Sequence, residues 1–188
     1  MFDWFSSDSK DAISILKADH DRVKKLFDNF EDAKSRSAKK KIVTEALTEL
    51  KVHAAVEEDL FYPAVRKKLA KPMMNEADEE HHVAKVLIAE LDSMTGSEDH
   101  YDAKFTVLSE NVRHHIKEEE NEMLPQAKGL NIDFDDLGDR ILRHKRQLLT
   151  QGFPTVGEET MVAASRGKGD SPAKAAKKTI KVKPKSKK

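Results

Sequence analysis

Two short segments each place a histidine four residues before a glutamate. His53 and Glu57 have this spacing in the first segment, and His115 and Glu119 repeat it 62 residues later. Residues four apart lie on one face of a helix, so each segment presents an imidazole beside a carboxylate. Both groups are ligands of transition metals. Two such pairs on two helices can hold two metal ions between them.

The repeat is wider than these two pairs. Glu58 and Pro63 in the first copy match Glu120 and Pro125 in the second copy, at the same 62-residue offset. An internal duplication that keeps ligand-type residues at matching positions indicates that both copies contribute to one structure and one site.

Each copy is also preceded by a helix-like segment that carries a histidine. The first is His20, and the second is His81 or His82. Helical phase favours His81, because apolar residues recur at the same four offsets after His81 as after His20, whereas two of those offsets after His82 are charged. The same test favours His115 over His114 in the second pair.

This pattern of histidines and glutamates resembles the hemerythrin HHE cation-binding family, over roughly residues 10–130. The resemblance implies an antiparallel four-helix bundle around two non-heme iron ions. The two glutamates would bridge the ions and the four histidines would cap them. The implied ligands are His20, His53, Glu57, His81, His115 and Glu119.

The chain departs from the animal oxygen carriers of that family on the third helix. Those proteins have two histidines four residues apart there, whereas Lys85 follows His81 at that spacing. The missing histidine leaves an open coordination position, or one filled by a carboxylate such as Glu58 or Glu120. This departure favours reactive or sensing chemistry over reversible oxygen transport.

The ligand types favour iron, with manganese as the alternative. Imidazole and carboxylate ligands suit both metals, and ferritin-like centres use a different Glu-x2-His spacing. We therefore expect a protein that binds or senses O2, peroxide or NO, or that handles iron under oxidative stress. One alternative is a di-iron peroxidase, oxidase or iron-repair enzyme, although the sequence favours a metal- or O2-binding protein over a dedicated enzyme.

Other polar residues are candidates to support the metal ligands. Glu58, Glu120 and Asp78 could orient the ligand imidazoles through their second ring nitrogen. Tyr62 has two possible positions: near the metals, or in the core with its hydroxyl at the end of the bundle.

The composition is typical of a solvated helical bundle. Charged residues make up 36% of the 188 residues and aromatic residues 6%, which disfavours a β protein. The chain has no cysteine, which excludes disulfides and thiolate metal sites. We expect neither a signal peptide nor a membrane span, and a cytoplasmic location.

Helical periodicity and chain-breaking residues predict an all-α protein in three parts. These are a four-helix bundle over residues 1–130, an additional short helix within residues 131–153, and a disordered tail over residues 154–188. Within the bundle we predict an irregularity at Pro63 and at Pro125. The predicted bundle helices are Ser9–Ala33, Ser37–Leu69, Pro72–Gly96 and Ser97–Ala127.

The charge of the chain is divided between its body and its end. Residues 166–188 contain ten Lys or Arg and one acidic residue, which leaves 24 basic and 33 acidic residues in the remainder. A lysine-rich tail can neutralise phosphates without reading sequence. A second alternative is therefore a DNA-associated iron-binding protein that contacts nucleic acid through residues 166–188.

Overall fold

The computed structural model describes residues 11–154 and 157–166, and these residues form helices and connecting loops without a strand. The α-helices are α1 Ala12–Asp32, α2 Arg36–Val56, α3 Tyr62–Val65, α4 Lys71–Asp92, α5 Tyr101–Glu118, α6 Leu124–Lys128, α7 Phe134–Gln151 and α8 Gly157–Arg166. Among the described helices, none has the length and apolar content needed to span a membrane.

Four long helical runs form the predicted antiparallel bundle. Short loops join α1 to α2 and α4 to α5, so each pair packs as a hairpin. The side chain of Asp11 caps α1 by accepting from Ser14 N–H, and Ser35 caps α2 by accepting from Ala38 N–H. Ser9, the N-cap suggested by the sequence, lies outside the described residues.

The irregularities predicted at the two prolines are confirmed, and each is a turn of π-helix. The π-helical segments Glu57–Phe61 and Glu119–Met123 join α2 to α3 and α5 to α6. Proline has no N–H to donate and its ring crowds the preceding turn, so the ladder widens just before Pro63 and Pro125. Both wide turns begin on the glutamate of a His-x3-Glu pair. Single turns of π-helix are frequently found at functional sites.

Two hydrophobic clusters fill the bundle, one towards each end. One contains Phe27 and Phe30, whose rings both contact the ring of Phe105. The other contains Phe61 and Met74, together with apolar residues from the N-terminal half of α1. The buried histidines lie along the helices between these clusters, so rigid packing on both sides holds them in place.

The fifth helix predicted after the bundle is confirmed as α7. Asp133 caps it by accepting from Asp136 N–H. Its buried face carries Leu137, Ile141 and Leu148, which join the hydrophobic cluster against α1 and α2. This helix covers one side of the bundle.

The predicted start of the disordered tail at residue 154 is wrong, because residues 157–166 form α8. This helix packs against α4, where Val162 is buried and Glu158 contacts His82 and Lys85. These contacts depend on the surface of a distant helix, so the composition of the segment did not reveal them. Residues 167–188 lie outside the described residues, and the disorder and nucleic-acid contact assigned to them stay predictions.

Candidate metal centre

The structure brings together all six residues that the sequence suggested as ligands. Their side chains are at most 7% exposed, and they project into the middle of the bundle from four different helical runs. They form two groups that share one glutamate. The groups are His20, His53, Glu57 and Glu119, and Glu57, His81 and His115.

The distances between donor atoms are those of ligands around a common ion. His20 Nε2 lies 3.2 Å from both His53 Nε2 and Glu119 Oε2, and His53 Nε2 lies 3.2 Å from Glu57 Oε2. In the second group, His81 Nε2 lies 3.4 Å from Glu57 Oε2. When two neighbouring ligand atoms bind the same ion at about 2.1 Å, the two atoms are separated by about 3 Å.

The second group has the same spacing between its imidazoles. His81 Nε2 lies 3.2 Å from His115 Nε2, and Glu119 Oε2 lies 3.7 Å from that same His115 nitrogen. Glu119 therefore stands between the two groups, as Glu57 does. Two carboxylates between two sets of imidazoles is an arrangement suited to bridging two ions.

Three carboxylate oxygens in the centre are buried and have no hydrogen bond. They are both side-chain oxygens of Glu57 and Oε2 of Glu119. Burying a carboxylate without a partner is costly, so such atoms call for a cation or, in its absence, a proton. The donor set and these unsatisfied oxygens together fit a pair of metal ions.

Carboxylates outside the centre orient two of the histidines in the same way. His20 Nδ1 lies 3.0 Å from Glu120 Oε1, and His81 Nδ1 lies 2.9 Å from Glu58 Oε1. A proton held on Nδ1 leaves Nε2 with a lone pair that points into the centre. Glu58 and Glu120 thus occupy the orienting positions that the sequence suggested.

A lysine fixes each of these two carboxylates. Lys24 Nζ lies 3.2 Å from Glu120 Oε1, and Lys85 Nζ lies 3.1 Å from Glu58 Oε2. Each lysine is one turn after the ligand histidine on its own helix. Lys85, at the position where the animal oxygen carriers have a further histidine, is therefore held by Glu58 rather than directed into the centre.

Acidic residues that the sequence analysis missed lie beside the other two histidines: Glu80 is within hydrogen-bonding distance of His115, whereas Asp19 is slightly beyond that distance from His53. His115 Nδ1 lies 2.7 Å from Glu80 Oε2, and His53 Nδ1 lies 3.6 Å from Asp19 Oδ2. Both acids directly precede a ligand histidine of the neighbouring helix, and the repeat could have revealed this match. Asp78 was a wrong choice, because it pairs with Arg66 at the exposed end of α3.

The helical phase correctly separated the paired histidines by burial. His81 and His115 are buried, whereas His82 is 46% and His114 is 61% exposed at the side chain. His82 contacts Glu158 of α8, and His114 contacts Glu118 on its own helix. One residue of shift along a helix rotates a side chain by about 100°, which decides between centre and solvent.

The two bridging-type glutamates differ in protonation when no cation is bound. Burial raises the pKa of Glu57 well above its ordinary value, and the nearby carboxylate of Glu119 raises it further. Burial also opposes ionisation of Glu119, but His115, His20 and His53 hold its pKa below its ordinary value. The pair therefore holds one proton, on Glu57, which a bound metal ion must displace.

The histidines divide in the same way. Burial lowers the pKa of His20 and of His115, but the carboxylates around each ring more than offset this, so both values are raised. Burial dominates at His53 and lowers its pKa to about 4. In the metal-free centre, His20 and His115 therefore hold a proton more readily than an ordinary histidine, and His53 holds one less readily.

Comparison with known proteins agrees with this arrangement. Residues 11–127 match the family described as the hemerythrin HHE cation binding domain. The chain belongs to this family. Membership of this family implies that the domain binds cations.

Individual relatives of this hemerythrin domain come from mycobacteria. The uncharacterized protein Rv2633c of Mycobacterium tuberculosis and the uncharacterized protein Mb2666c of Mycobacterium bovis are each 27% identical over 141 residues, which span 73% of this chain and 86% of the relative. A crystal structure of an HHE cation binding domain-containing protein from Mycobacterium kansasii superposes with a TM-score of 0.61. It is 24% identical and covers 81% of this chain and 98% of its own, and this similarity shows the fold.

Tyr62 is the one aromatic residue that reaches the centre of this hemerythrin domain among the described residues. Its hydroxyl donates to Glu119 Oε1 at 3.0 Å and lies 3.0 Å from His81 Nε2. The π-helical segment before it brings this side chain over the site. Leu124 occupies the matching position of the second copy and packs in the core, so the two halves of the centre are chemically different.

Replacing Tyr62 by phenylalanine should destabilise the metal-free protein by about 1–3 kcal/mol. The change removes the hydroxyl that satisfies Glu119 Oε1 and leaves a buried charged acceptor unpaired. Urea denaturation of the apoprotein measures the effect. Tyr101→Phe, in the other hydrophobic cluster, is the matched control, and an equal loss in both variants would contradict a special role of the Tyr62 hydroxyl.

A second buried polar cluster lies beside the centre, between α1, α2 and α7. Lys145 Nζ donates to both carboxylate oxygens of Asp19, and both side chains are almost completely buried. Glu49 is 2% exposed and lies 3.4 Å from Arg22. Because Asp19 also approaches His53, this cluster links α7 to the metal centre.

Glu49 should make stability depend on pH. Burial raises its pKa from 4.5 to about 7, and Asp19 adds to this while Arg22 opposes it. Between these two values, the folded protein keeps a proton on Glu49 that the unfolded chain releases. The contribution of protonated Glu49 to the free energy of unfolding is therefore full below pH 4.5 and is lost as the pH rises to 7. Glu49→Gln should therefore gain stability relative to wild type between pH 5 and 8, by an amount on the order of 2 kcal/mol.

Urea denaturation at several pH values measures this effect. Glu45→Gln, one turn earlier on α2, is the matched control and should track wild type at every pH. A constant difference between Glu49→Gln and wild type across this range would show that Glu49 is ionised in the folded protein.

Proposed function

We propose that this hemerythrin domain holds two non-heme iron ions, with His20, His53, Glu57, His81, His115 and Glu119 as ligands. The observation that carries the proposal is Glu57, a fully buried carboxylate with both oxygens unsatisfied that belongs to both groups of candidate ligands. A carboxylate so placed is suited to bridge two ions, and Glu119 is placed to do the same.

Iron is favoured by the donor set, with manganese as the alternative. Four imidazoles and two carboxylates come together in the middle of the bundle, and this number exceeds the four ligands of a closed zinc site. Nitrogen and oxygen donors without thiolate suit Fe(II) and Mn(II). A cytoplasmic location goes with this proposal, since a reducing compartment keeps iron in the ferrous form.

O2, peroxide or NO is the proposed small ligand, or the domain handles iron under oxidative stress. Each group has only two imidazoles within the described residues, so iron held there would have open coordination positions. Tyr62 offers a hydroxyl donor beside the second group, 3.0 Å from His81 Nε2. Burial and the nearby Glu57 raise the pKa of Tyr62 well above its ordinary value, so the hydroxyl keeps its proton.

Metal binding at this centre would release protons from the ligand side chains. Ions that bind must displace protons from the ligand atoms, and the raised pKa values of Glu57, His20 and His115 make these three residues favour their protonated forms. Glu58, Glu80 and Glu120 keep the outer imidazole nitrogens protonated and the rings in place. Metal affinity should therefore fall as the solution becomes more acidic.

Anaerobic loading with Fe(II), followed by exposure to air, tests this function. New near-ultraviolet and visible absorption on oxygenation would support an O2-reactive iron centre, and an unchanged spectrum with iron retained would overturn that part of the proposal. Successive additions of peroxide separate the binding role from the enzymatic alternative, because many turnovers per chain indicate a peroxidase and a single stoichiometric change indicates binding.

A further inference from the structure

An acidic groove leads from the surface to one side of the metal centre. It has a volume of about 300 Å³ and lies between α4 and the π-helical segment Glu119–Met123. Five glutamates and one histidine supply its polar lining. These residues are Glu76, Glu80, His115, Glu118, Glu119 and Glu122.

The inner end of the groove is formed by two of the proposed metal ligands. Glu119 is fully buried and its Oε2 has no hydrogen bond. His115 lies beside it, with Nε2 at 3.7 Å from that oxygen. The groove therefore ends on an unsatisfied acceptor and not on a closed apolar wall.

A third set of ligand-type side chains, separate from the centre, lies at the side of the groove, and two of its three members, Glu80 and Glu118, line it. His114 Nε2 lies 3.2 Å from Glu118 Oε1 and 3.6 Å from Glu80 Oε1. These three residues offer ligand atoms that lie within 4.8 Å of one another. Glu80 also contacts His115 through its other oxygen, so this set adjoins the buried centre directly.

The internal repeat provides a comparison for this groove. The three outer glutamates of the groove are Glu76, Glu118 and Glu122. The matching residues of the first copy are Ile15, at the 61-residue offset that relates His20 to His81, and Val56 and Leu60, at the 62-residue offset of the His-x3-Glu pairs. Those three residues pack in the hydrophobic cluster that α7 completes. The counterpart of Glu80 is Asp19, which Lys145 of α7 neutralises. The first copy is therefore closed and apolar where the second is open and acidic.

We propose that the acidic groove is the entrance through which a divalent cation reaches the metal centre, with Glu80, His114 and Glu118 as a transient binding site. This inference rests on the proposed metal-binding function. It assigns a role to two residues, His114 and Glu118, that the centre itself does not use.

Electrostatics gives the groove its expected effect on rate. A cleft lined by one sign of charge raises the local concentration of counter-ions, and this raises association rates by about 10- to 1000-fold. Salt screens the outer carboxylates, which are exposed or half-exposed, more than the buried ones. Loading through this groove should therefore be fast at low ionic strength and slower in salt.

The test compares loading rates of two triple variants of the full chain. Glu76→Gln/Glu118→Gln/Glu122→Gln removes the outer negative charge and leaves Glu80 and the proposed ligands in place. Asp32→Asn/Glu110→Gln/Asp139→Asn removes the same charge from exposed positions elsewhere. Anaerobic stopped-flow absorbance with Co(II) as the probe gives the rate, and equilibrium dialysis gives the final amount bound.

The groove variant should load about tenfold more slowly than wild type at low salt, lose most of its salt dependence and reach the same final amount. The surface variant should load as wild type does. Equal Co(II) loading rates in the two triple variants would overturn the proposal that the groove is the entrance for the cation. Glu122→Lys, a reversal at an exposed position, should slow loading by itself without disturbing the core. A wild-type protein that binds no Co(II), Fe(II) or Mn(II) at equilibrium would instead overturn the metal centre.

Discussion

The double variant His53→Ala/His115→Ala should retain no iron after anaerobic loading and gel filtration. Each substitution removes one imidazole from one of the two groups around Glu57. Loss of a residue that merely supports a metal ligand already weakens binding by about 10- to 100-fold, so loss of a ligand from each group should exceed roughly 100-fold. Iron analysis of the filtered protein measures the effect.

The chain offers a matched control for this experiment. His82 and His100 are exposed and contribute to neither group of candidate ligands. His82→Ala/His100→Ala changes the same residue types and should retain iron as wild type does. Circular dichroism of the apoproteins verifies that both double variants fold. Unchanged iron in a folded His53→Ala/His115→Ala variant would refute the assigned ligands.

Lys145→Met should destabilise the protein by about 3–5 kcal/mol. The change leaves the buried carboxylate of Asp19 without its counter-ion, and breaking one side of a buried ion pair carries a penalty of this size. It also removes the polar anchor between α7 and α1. Urea denaturation of the apoprotein gives the free energy of unfolding.

Two further variants isolate the ion pair. Arg143→Met changes an exposed cation on the same helix and should alter stability by no more than about 0.5 kcal/mol. Lys145→Met/Asp19→Asn removes both charges and should recover much of the loss, since a neutral pair avoids the buried unpaired charge. If the double variant were as unstable as Lys145→Met alone, packing of the lysine stem would be the cause.

The candidate ligands could be found from the sequence because their relations are local. A spacing of four residues fixes a shared helix face regardless of the rest of the fold. The repeat then supplies the second half of the site. Apolar neighbours at helical spacing decided between His81 and His82, because a buried ligand must share its face with the core.

The supporting residues show where local reasoning stops. Asp78 lies one turn from His81 in the sequence, yet its carboxylate points to Arg66 at the surface. Glu80 reaches His115 on another helix. Which acid meets which histidine depends on how the hairpins pack against each other, and the period of a single helix carries no such information.

The additions outside the repeat were harder to predict for the same reason. The apolar stripe of α7 predicted a helix, but the role of Lys145 follows from where that helix docks. A lysine on an apolar face is expected to extend to solvent, whereas here Asp19 binds it inside the protein. Likewise, the composition of residues 157–166 did not predict a helix, and α8 is held there by packing against α4.

The two halves of the bundle are related by a pseudo-two-fold repeat that the site breaks in two places. Tyr62 in the first copy corresponds to Leu124 in the second copy. In addition, α7 covers one half of the bundle, while the acidic groove opens beside the other half. The first difference gives one of the two candidate ligand groups a hydroxyl donor. The second difference gives the centre an access route on one side.

The most direct test of the metal centre is an anaerobic titration of the apoprotein with Fe(II), in which bound metal and released protons are counted together. The assigned ligands predict saturation at about two ions per chain, with proton release because metal ions displace protons from carboxylate and imidazole ligands. Saturation at one ion, or no binding by the folded protein, would contradict a centre in which Glu57 and Glu119 bridge two metals.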